Sequence, residues 1–314
     1  MDNFEPTVAF QGAMGAFSEL ASVTFFKDRE INLLPCEKYR EMFEAVESGR
    51  ADYIVAPIEN STGGSVYDYY DLLLEFSVKS GFVIINELKV RIRHNLIVNK
   101  GVKLEDVKMV RSHPQALAQC KNFLSERNIK AQQDYDTAGV IAQIKDGGFK
   151  DVGAIASVQA AYDLDMEILT KNTQDHEENY TRFLVITKNG EVPSSNNVKA
   201  SVIFCVQNEP GALHKSLSLF ASRGLDIVRL ETRPLMGTKT PWRKFARQGE
   251  TGVWDFLFYL DFTGKIDVCK EVVDRLKETA LTYNGDVAVS VLGYYPEADL
   301  CDITGSKWRE RCND

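Results

Sequence analysis

Two neighbouring side chains, Thr181 and Arg182, offer the clearest chemistry in the sequence. They lie in Asn-Tyr-Thr-Arg-Phe (179–183), which opens a short apolar run typical of a buried strand. Arginine can hold a carboxylate through two hydrogen bonds, and a neighbouring hydroxyl can pass or orient a proton meanwhile. The pair therefore indicates chemistry on a small carboxylic acid. Taken alone, the same residues also fit a strand whose arginine points to solvent.

A second candidate lies where the first predicted strand, 7–10, meets a helical pattern. Gly12 and Gly15 precede Ser18 there, so the chain predicts a strand, a tight turn and a helix N-terminus. Unpaired backbone N–H groups at such an N-terminus favour an anion. The third glycine of a dinucleotide-binding fingerprint is missing, which makes a carboxylate the better ligand. A plain strand-to-helix turn is the alternative.

Polar residues also follow later predicted strands. Strand 53–58 leads into Glu-Asn-Ser-Thr-Gly-Gly-Ser (59–65), whose amide, hydroxyl and glycine groups could converge on one small polar ligand or form an ordinary turn. Segments 112–120 and 134–139 repeat this plan by opening helices after strands. The repetition predicts a ligand crevice at the carboxyl ends of the strands.

Some of these residues have a structural explanation. Ser112 and Gln115 have capping-box spacing, so a helix start explains them without a ligand, whereas His113 between them lacks such an explanation. Residues 88–98 alternate in polarity as one strand, and His94 within it is predicted to be structural.

Composition argues against several function classes. The 314 residues carry a net charge of −8 without a dense Lys/Arg patch, which argues against nucleic-acid and anionic-membrane partners. No apolar run reaches the ~18 residues that span a bilayer, and residues 1–5 lack the regions of a signal peptide. The six cysteines and four histidines show no metal-like spacing, so no metal is expected and the thiols should be reduced and mostly buried. We expect a soluble cytoplasmic protein, or a plastid protein if a transit peptide has been removed.

Changes in polarity along the chain predict its domains. Residues 1–192 form the first unit, 193–199 a linker, 200–296 a second unit and 297–314 a tail without a readable signal. The second unit has the βαββαβ order of a ferredoxin-like domain, with a polar and basic insert at 235–252. Its predicted elements are strand 200–206, helix 210–223, strands 226–234 and 253–262, helix 266–283 and strand 287–292.

Taken in order, these motifs resemble those of monofunctional prephenate dehydratases and the related arogenate dehydratases. The resemblance spans residues 7–296, and the C-terminal unit resembles the family's regulatory ACT domain. The residues that carry it are Gly12-x-x-Gly15-x-x-Ser18, Pro57 to Asp68, Ser112 to Leu117, Asp136-Thr137-Ala138, Asn179-x-Thr181-Arg182-Phe183, Gly211 to His214 and Glu231 to Pro234.

The resemblance implies an α/β fold with two lobes like a periplasmic binding protein, the substrate in the cleft, and a ferredoxin-like ACT domain after them. It implies conversion of prephenate to phenylpyruvate, or of arogenate to phenylalanine, by loss of water and carbon dioxide without a cofactor. Thr181 would be the catalytic residue, as proton donor or hydrogen-bond partner of the departing ring hydroxyl. The implied substrate-binding residues are Arg182, Phe183, Asn60, Ser61, Thr62, Ser18, His113, Gln115 and Thr137.

Regulation is implied as well. Phenylalanine would bind the ACT domain between subunits of a homodimer or homotetramer and inhibit, and removal of residues 200–314 would leave a phenylalanine-insensitive catalytic region. His214 stands where the family usually has an apolar or aromatic residue, and Thr232 keeps the hydroxyl of the usual serine. The implied effector-binding residues are Gly211, Ala212, Leu213, His214, Glu231, Thr232, Arg233 and Pro234.

Two alternatives stay open. Prephenate and arogenate differ by a keto group against an ammonium group, and the sequence does not decide between them. A non-catalytic sensor of aromatic amino acids is the other alternative, although a sensor would not need the hydroxyl of Thr181.

Overall fold

The computed structural model describes residues 5–134, 137–188, 190–191, 193, 195–238, 240–246, 255–298 and 300–301, without the side chains at 137, 138, 300 and 301. The strands form sheets of seven, five, four and two members in this range, and helices pack on them. The α/β class predicted from the sequence is confirmed. None of the described helices is long and apolar enough to cross a membrane.

Two α/β lobes come first. The first lobe begins with β1 (Thr7–Gln11), α1 (Phe17–Phe25), β2 (Asn32–Cys36), α2 (Tyr39–Glu47), β3 (Tyr53–Asn60), β4 (Gly64–Ser65), α3 (Tyr67–Ser80) and β5 (Phe82–Arg91). The second lobe contains β6 (Asn95–Val98), β7 (Met109–Ser112), α4 (Pro114–Gln119), α5 (Lys121–Glu126), β8 (Lys130–Gln133), α6 (Thr137–Asp146), β9 (Val152–Ala156), α7 (Val158–Asp163) and β10 (Glu167–Thr170). Strand β11 (Tyr180–Lys188) then returns to the first lobe.

The sheet of the first lobe places β11 at its centre. Its order is β18-β5-β11-β3-β1-β2, where β18 (Leu300–Cys301) comes from the C-terminal end of the described chain. Strand β11 is antiparallel to both β3 and β5, while β1 is parallel to β2 and β3. The second lobe has the order β10-β6-β9-β7-β8. Strand β11 is therefore hydrogen-bonded to a neighbouring strand along both of its edges.

Two chain segments cross between the lobes. Residues 92–94 leave β5 for β6, and residues 171–179 return from β10 to β11. The sequence predicted one strand over residues 88–98, and this is wrong because the alternation in polarity continues through the crossing while the backbone changes sheets. The two crossings are tied together, since Thr173 N donates to His94 O at 2.8 Å.

The C-terminal domain has the predicted βαββαβ order. The elements are β12 (Asn197–Cys205), α8 (Ala212–Ala221), β13 (Asp226–Pro234), β14 (Phe256–Lys265), α9 (Ile266–Thr279), β15 (Thr282–Tyr283), β16 (Asp286–Val287) and β17 (Val289–Tyr295). The sheet runs β13-β14-β12-β17 with every pair antiparallel, the ferredoxin-like arrangement. Helices α8 and α9 pack on one face around a core that includes Phe204, Phe220 and Phe262.

Some predicted boundaries of this domain were wrong. Strand β12 begins at Asn197, inside the predicted linker, and α9 ends at Thr279 rather than at residue 283. A hairpin of β15 and β16 follows, in which Asn284 and Gly285 both have positive φ. Asn-Gly is the strongest sequence signal for such a two-residue turn. The predicted strand start at residue 253 lies outside the described residues.

The insert between β13 and β14 is not only polar and basic. In its described part, two short 3-10 helices, Leu235–Gly237 and Pro241–Phe245, bury the side chains of Leu235, Trp242 and Phe245. Trp242 and Phe245 form an edge-to-face pair with ring centroids 5.9 Å apart. The insert therefore covers apolar surface, although the rest of it, including Arg247, lies outside the described residues.

The first lobe and the C-terminal domain share one apolar core. Tyr70 of α3 lies 5.0 Å from Tyr259 of β14 between ring centroids, and Tyr295 is fully buried in the same cluster. A β-carbon on Gly293 would come within 2.2 Å of the backbone oxygen of Ile84, so the two sheets approach too closely for any other residue there. The C-terminal domain thus packs on the first lobe through a continuous apolar core.

This shared core changes what truncation should do. Removing residues 200–314 is expected to give an insoluble or unfolded product rather than the insensitive enzyme that the sequence suggested. The truncation would expose the apolar face around Tyr70 to water and take away the partners of buried charges. Expression of residues 1–199 followed by circular dichroism and gel filtration checks this. A monomeric fragment with native secondary structure would contradict it.

The cysteines behave as predicted where they are described. The thiols of Cys36, Cys120, Cys205 and Cys269 are free and buried. Burial raises the pKa of Cys120 to about 12, which keeps this thiol protonated and unreactive at neutral pH. The side chain of Cys301 and all of Cys312 lie outside the described residues.

Candidate active site

Thr181 is the second residue of β11 and stands directly opposite Asn60 at the end of β3. Residues opposite each other in an antiparallel pair share one face of the sheet, so the two side chains meet. Thr181 is 9% exposed and Asn60 is partly buried. The register of β3 and β11 therefore brings together two motifs that are far apart in sequence, the one that contains Asn60 and the one that contains Thr181.

The amide of Asn60 has a fixed orientation. Its Oδ1 accepts hydrogen bonds from the backbone N–H groups of Thr62 at 3.0 Å and Gly63 at 2.7 Å, which can only donate. Its Nδ2 therefore faces the other way and donates to Thr181 Oγ1 at 2.9 Å and to Asn179 Oδ1 at 2.8 Å. Thr181 Oγ1 is the acceptor in this contact, so its own proton is left for a ligand oxygen.

The same bond makes the hydroxyl a better proton donor. A hydrogen bond donated to Oγ1 stabilises the negative charge that develops on this oxygen as its proton moves away. Threonine is otherwise a weak acid, and the sequence showed no group that would polarise it. Asn60 is that group, because the turn at Thr62 and Gly63 prevents its amide from presenting an oxygen to Thr181.

The fixed amide of Asn60 also fixes the amides of Asn179 and of Gln119, a residue of the second lobe. Asn179 Oδ1 is used by Asn60, so Asn179 Nδ2 donates to Gln119 Oε1 at 3.0 Å. Gln119 Nε2 donates to Thr62 Oγ1 at 2.9 Å, and its Oε1 also accepts from His94 Nε2 at 2.8 Å. Gln119 lies on α4 of the second lobe, while Asn179 and His94 lie on the two crossing segments. One hydrogen-bonded chain thus holds the site at the junction of the lobes.

His94 is a neutral end of this chain. Burial lowers the pKa of His94, and its hydrogen bond with Gln119 only partly opposes this shift. Since Gln119 Oε1 can only accept, the His94 proton sits on Nε2. The sequence prediction that His94 is structural is consistent with this position, although the residue lies in a crossing segment and not in a strand.

The buried neutral state of His94 gives a pH dependence of stability. Above pH 7 both the folded and the unfolded chain are neutral at His94, so this side chain contributes nothing. The imidazole has a pKa of about 6.5 in the unfolded chain and a lower pKa in the folded chain. Between these two pKa values the unfolded chain binds a proton that the folded chain does not bind. The free energy of unfolding therefore falls there by about 1.4 kcal/mol for each unit that the pH is lowered. His94→Gln should therefore lose less stability than the parent between pH 7.5 and pH 5.5.

Urea unfolding of parent and variant at both pH values measures this difference. His113→Gln is the matched comparison: burial lowers the pKa of His113 as well, but His113 is exposed whereas His94 is buried, so its difference from the parent should be smaller than that of His94→Gln. Equal losses of unfolding free energy in the parent and His94→Gln would show that folding does not lower the pKa of His94.

Other residues predicted to bind the substrate form contacts within or against the loop that follows β3. Ser61 Oγ donates to Glu178 O at 3.1 Å and accepts from Tyr180 N at 2.9 Å, which anchors the loop to the returning crossing segment. Thr62 Oγ1 donates to Asn60 Oδ1 at 2.7 Å. Gln115 Nε2 would lie only 2.3 Å from a β-carbon on Gly63, so α4 closes directly over a glycine. Gln115 is thus brought to the site from the facing lobe.

The helix cap after β7 differs from the prediction. Ser112 is the last residue of β7 and its Oγ donates to Ile155 O at 2.6 Å, so it does not form a capping box with Gln115. His113 is the N-cap of α4 instead, and its Nδ1 accepts from Gln115 N at 3.3 Å. This supplies the structural explanation that the sequence lacked for His113.

The start of α1 is a weaker anion site than the sequence suggested. Gly12 and Gly15 have φ of 102° and 86°, which other residues rarely adopt. However, Gly15 N donates to the carboxylate of Glu19, so an acidic side chain of the protein already occupies this N–H. Burial raises the pKa of Glu19. Ser18 is buried in the first turn of the same helix, and Ser157 Oγ donates to Gly15 O at 2.7 Å across the lobes.

Arg182 is placed where the contact with a substrate carboxylate that the resemblance implied does not fit. Successive side chains of a strand point to opposite faces, so Arg182 points away from Thr181. Its guanidinium is 6% exposed and pairs with Glu87 at 3.0 Å, Asp261 at 2.7 Å and Glu59 at 3.0 Å. Three carboxylates surround the guanidinium and balance its charge within the protein, although Nε makes no hydrogen bond among the described residues.

Phe183 is a core residue. It is 1% exposed and packs in a cluster with Val8, Leu20 and Val55, beneath α1. A direct substrate contact does not fit this burial. The side chain of Thr137 and the whole of Asp136 lie outside the described residues.

Residues 8–191 match the family model described as prephenate dehydratase, which is more than half of the chain. The chain belongs to the prephenate dehydratase family. Arogenate dehydratase/prephenate dehydratase 2, chloroplastic, of Arabidopsis thaliana is 39% identical over 292 residues, covering 92% of this chain and 72% of that protein. The resemblance inferred from the motifs is thereby confirmed.

Two solved structures of this fold are also similar. Prephenate dehydratase from Arthrobacter aurescens in complex with L-Phe has a TM-score of 0.78 and 25% identity, covering 98% of this chain and 97% of that chain. GqqA, described as a novel type of quorum quenching acylase, has a TM-score of 0.76 and 29% identity, covering 93% of this chain and 98% of that chain.

Within this prephenate dehydratase family member, Gln119 and Asn179 are site residues that the sequence reasoning did not select. Both lay inside quoted segments, and Gln119 follows Gln115 by four positions, which puts the two amides on one face of α4. That spacing was the available signal. The role of His94 had no such signal, because it depends on where the crossing segment meets α4.

The residues predicted to bind the effector lie on two elements of the C-terminal domain, the start of α8 and strand β13. Gly211 is the N-cap of α8 with φ of 84°, and His214 on that helix is exposed. On β13, Glu231 accepts from Ser65 Oγ at 2.5 Å and Arg233 pairs with Asp71 at 2.6 Å, so both face the first lobe. Thr232 and Pro234 alternate with them and are exposed, while Ala212 and Leu213 pack partly against the domain core.

Proposed function

We propose that this protein catalyses the decarboxylating dehydration of prephenate to phenylpyruvate in L-phenylalanine biosynthesis, with arogenate as the alternative substrate. The observation that carries the proposal is the Asn60–Thr181 hydrogen bond at 2.9 Å, with Thr181 Oγ1 as its acceptor. It leaves a polarised hydroxyl proton for the one group that needs protonation, the departing ring hydroxyl.

The chemistry requires little beyond this. The bond between the ring and its hydroxyl oxygen breaks with its electron pair on oxygen, and the Thr181 proton makes the leaving group water. The bond between the ring and the carboxylate carbon also breaks. Its electron pair moves into the ring, which becomes aromatic as carbon dioxide leaves. Asn60 stabilises the charge left on Oγ1 until solvent returns a proton. Orientation of the substrate should supply much of the remaining rate.

The geometry favours this reaction over acylase activity, which is what GqqA is described as having. An acylase nucleophile must give its proton to a neighbouring base. Asn60 instead donates to Thr181 Oγ1, which suits an acid and not a nucleophile. An acylase assay run beside the dehydratase assay should therefore be negative.

Purified protein should be offered prephenate and arogenate separately, with and without phenylalanine. We expect phenylpyruvate from prephenate. Phenylalanine formed from arogenate at a higher kcat/KM would make the protein an arogenate dehydratase. Turnover of neither substrate, with phenylalanine still bound, would make it a sensor and overturn the proposal.

Regulation, assembly and location are part of the same proposal. The C-terminal domain is proposed to act as an ACT domain that binds phenylalanine as a feedback inhibitor, as the L-Phe complex of the Arthrobacter protein supports. We propose residues 1–192 as the catalytic unit and a homodimer or homotetramer as the assembly. A cytoplasmic location, or a plastid as in the name of the Arabidopsis relative, completes it.

A further inference from the structure

Six charged side chains form a buried cluster between the first lobe and the C-terminal domain, here called the interdomain charge cluster. Three are acidic and three are basic, so their formal charges cancel. All but Glu59 are 8% exposed or less. Each comes from a different strand: Glu59 (β3), Glu87 (β5), Arg182 (β11), Lys199 (β12), Arg229 (β13) and Asp261 (β14).

Arg182 is the centre of this cluster. It donates to Glu87 Oε2 at 3.0 Å within its own lobe and to Asp261 Oδ2 at 2.7 Å in the C-terminal domain. Asp261 is held in turn by Ser201 Oγ, which donates to it at 2.6 Å, and Lys199 pairs with Glu87 at 3.1 Å. The position of Arg182 therefore depends on the C-terminal sheet as much as on its own strand.

Glu59 links the cluster to β13, the strand that carries the second effector motif. One oxygen of Glu59 lies 3.0 Å from Arg182 Nε and the other 2.7 Å from Arg229 Nε. Arg229 also pairs with Glu231 at 3.4 Å, and Glu231 accepts from Ser65 at the end of the polar loop. A ligand that moves β13 thus changes the contacts of Glu59.

The cluster lies directly behind the active site. Glu59 and Arg182 face each other in the register of β3 and β11, and the next pair in that register is Asn60 and Thr181. The two pairs point to opposite faces of the sheet. The register shifts beyond Arg182, where Pro57 of β3 has no N–H to give to the ladder. Side-chain contacts therefore help to set the separation of the strands at this point.

We propose that Arg182 and Glu59 are positioning residues through which the C-terminal domain sets the Asn60–Thr181 hydrogen bond. The C-terminal domain would then control the strength of the proton donor itself. Loss of the contact between Arg182 and Asp261 lets β11 shift against β3, and the Thr181 hydroxyl loses its alignment. The inference rests on the proposed dehydratase function.

The test replaces Asp261, which contacts Arg182 on the face of β11 that points away from Thr181. Asp261→Asn keeps the shape of the side chain and removes its charge. We expect kcat for prephenate to fall about 10- to 100-fold, the size of effect that a misplacement near 1 Å has, with KM within about threefold of the parent. Phenylalanine should inhibit this variant less. An unchanged kcat, or a raised KM at normal kcat, would overturn the inference.

Asp71→Asn is the matched control. It removes an ion pair of 2.6 Å between the same two domains, but neither Asp71 nor its partner Arg233 belongs to the interdomain charge cluster. Its kcat without phenylalanine should equal that of the parent, even if its melting temperature falls. Should Asp261→Asn fail to fold, Ser201→Ala removes one hydrogen bond to Asp261 and should give a smaller fall in kcat with KM unchanged.

A spectroscopic signal separates positioning from mere stability. The side-chain amide resonance of Asn60, assigned by its loss in Asn60→Asp, should shift when phenylalanine binds the parent and stay fixed in folded Asp261→Asn. The same shift in both proteins would overturn the coupling route. If the parent itself turns over neither prephenate nor arogenate, the proposed function fails, whereas an active parent with normal variants refutes only this inference.

Discussion

Replacing Thr181 with valine is expected to lower kcat for prephenate by roughly 10²- to 10⁴-fold, the usual contribution of a positioned acid. Valine has the shape of threonine without the hydroxyl, so the ring hydroxyl would have to leave unprotonated. KM should change little, because Thr181 gives its proton mainly in the transition state. Steady-state assays of phenylpyruvate formation measure both constants.

Thr181→Ser is the matched control for this variant. Serine restores a hydroxyl that can accept from Asn60 Nδ2, so most of the lost activity should return. A Thr181→Val enzyme with normal kcat and a raised KM would mean that Thr181 only binds the substrate. Its assignment as proton donor would then be wrong.

Replacing Asn60 with aspartate is expected to lower kcat by roughly 10²- to 10³-fold, as does removal of one preorganised donor elsewhere. The carboxylate still accepts from the N–H groups of Thr62 and Gly63, so the loop keeps its bonds. Toward Thr181, however, it can only accept. The hydrogen bond reverses, and the Thr181 proton is directed at residue 60 and not at the substrate.

The control for this variant is Asn99→Asp. Asn99 also donates two hydrogen bonds through its side-chain amide, to Ile144 O at 2.7 Å and Phe149 O at 3.0 Å, in the second lobe. Asn99→Asp should lower the free energy of unfolding and leave kcat unchanged. If both variants lose stability but neither loses kcat, the orientation of Asn60 has no part in catalysis.

Much of the fold follows from periodicity. The βαββαβ order of the C-terminal domain gave the correct sheet topology because the hydrophobic periodicity marks its elements locally. Residues 88–98 failed because the hydrophobic pattern carries no sign of a change of sheet. The Asn284-Gly285 turn has a clear signal of its own, but the predicted helix extended to residue 283 and so included β15, the strand that precedes the turn.

The candidate site was predicted in part. Asn60, Thr62 and Thr181 were selected from their motifs, and the register of β3 and β11 brings them together. For Arg182, strand alternation alone places the side chain on the face of β11 that points away from Thr181, which argues against the predicted substrate contact. Its partners could not be inferred, since Glu87 and Asp261 lie 95 and 79 positions away in sequence.

The most direct test of the account is the stoichiometry of the reaction, measured on wild-type protein and Thr181→Val side by side. Wild-type protein should release carbon dioxide and phenylpyruvate from prephenate in equal amounts, and Thr181→Val should do so at least roughly 10²-fold more slowly. Release of neither product by wild-type protein, or equal rates in the two proteins, would contradict the account.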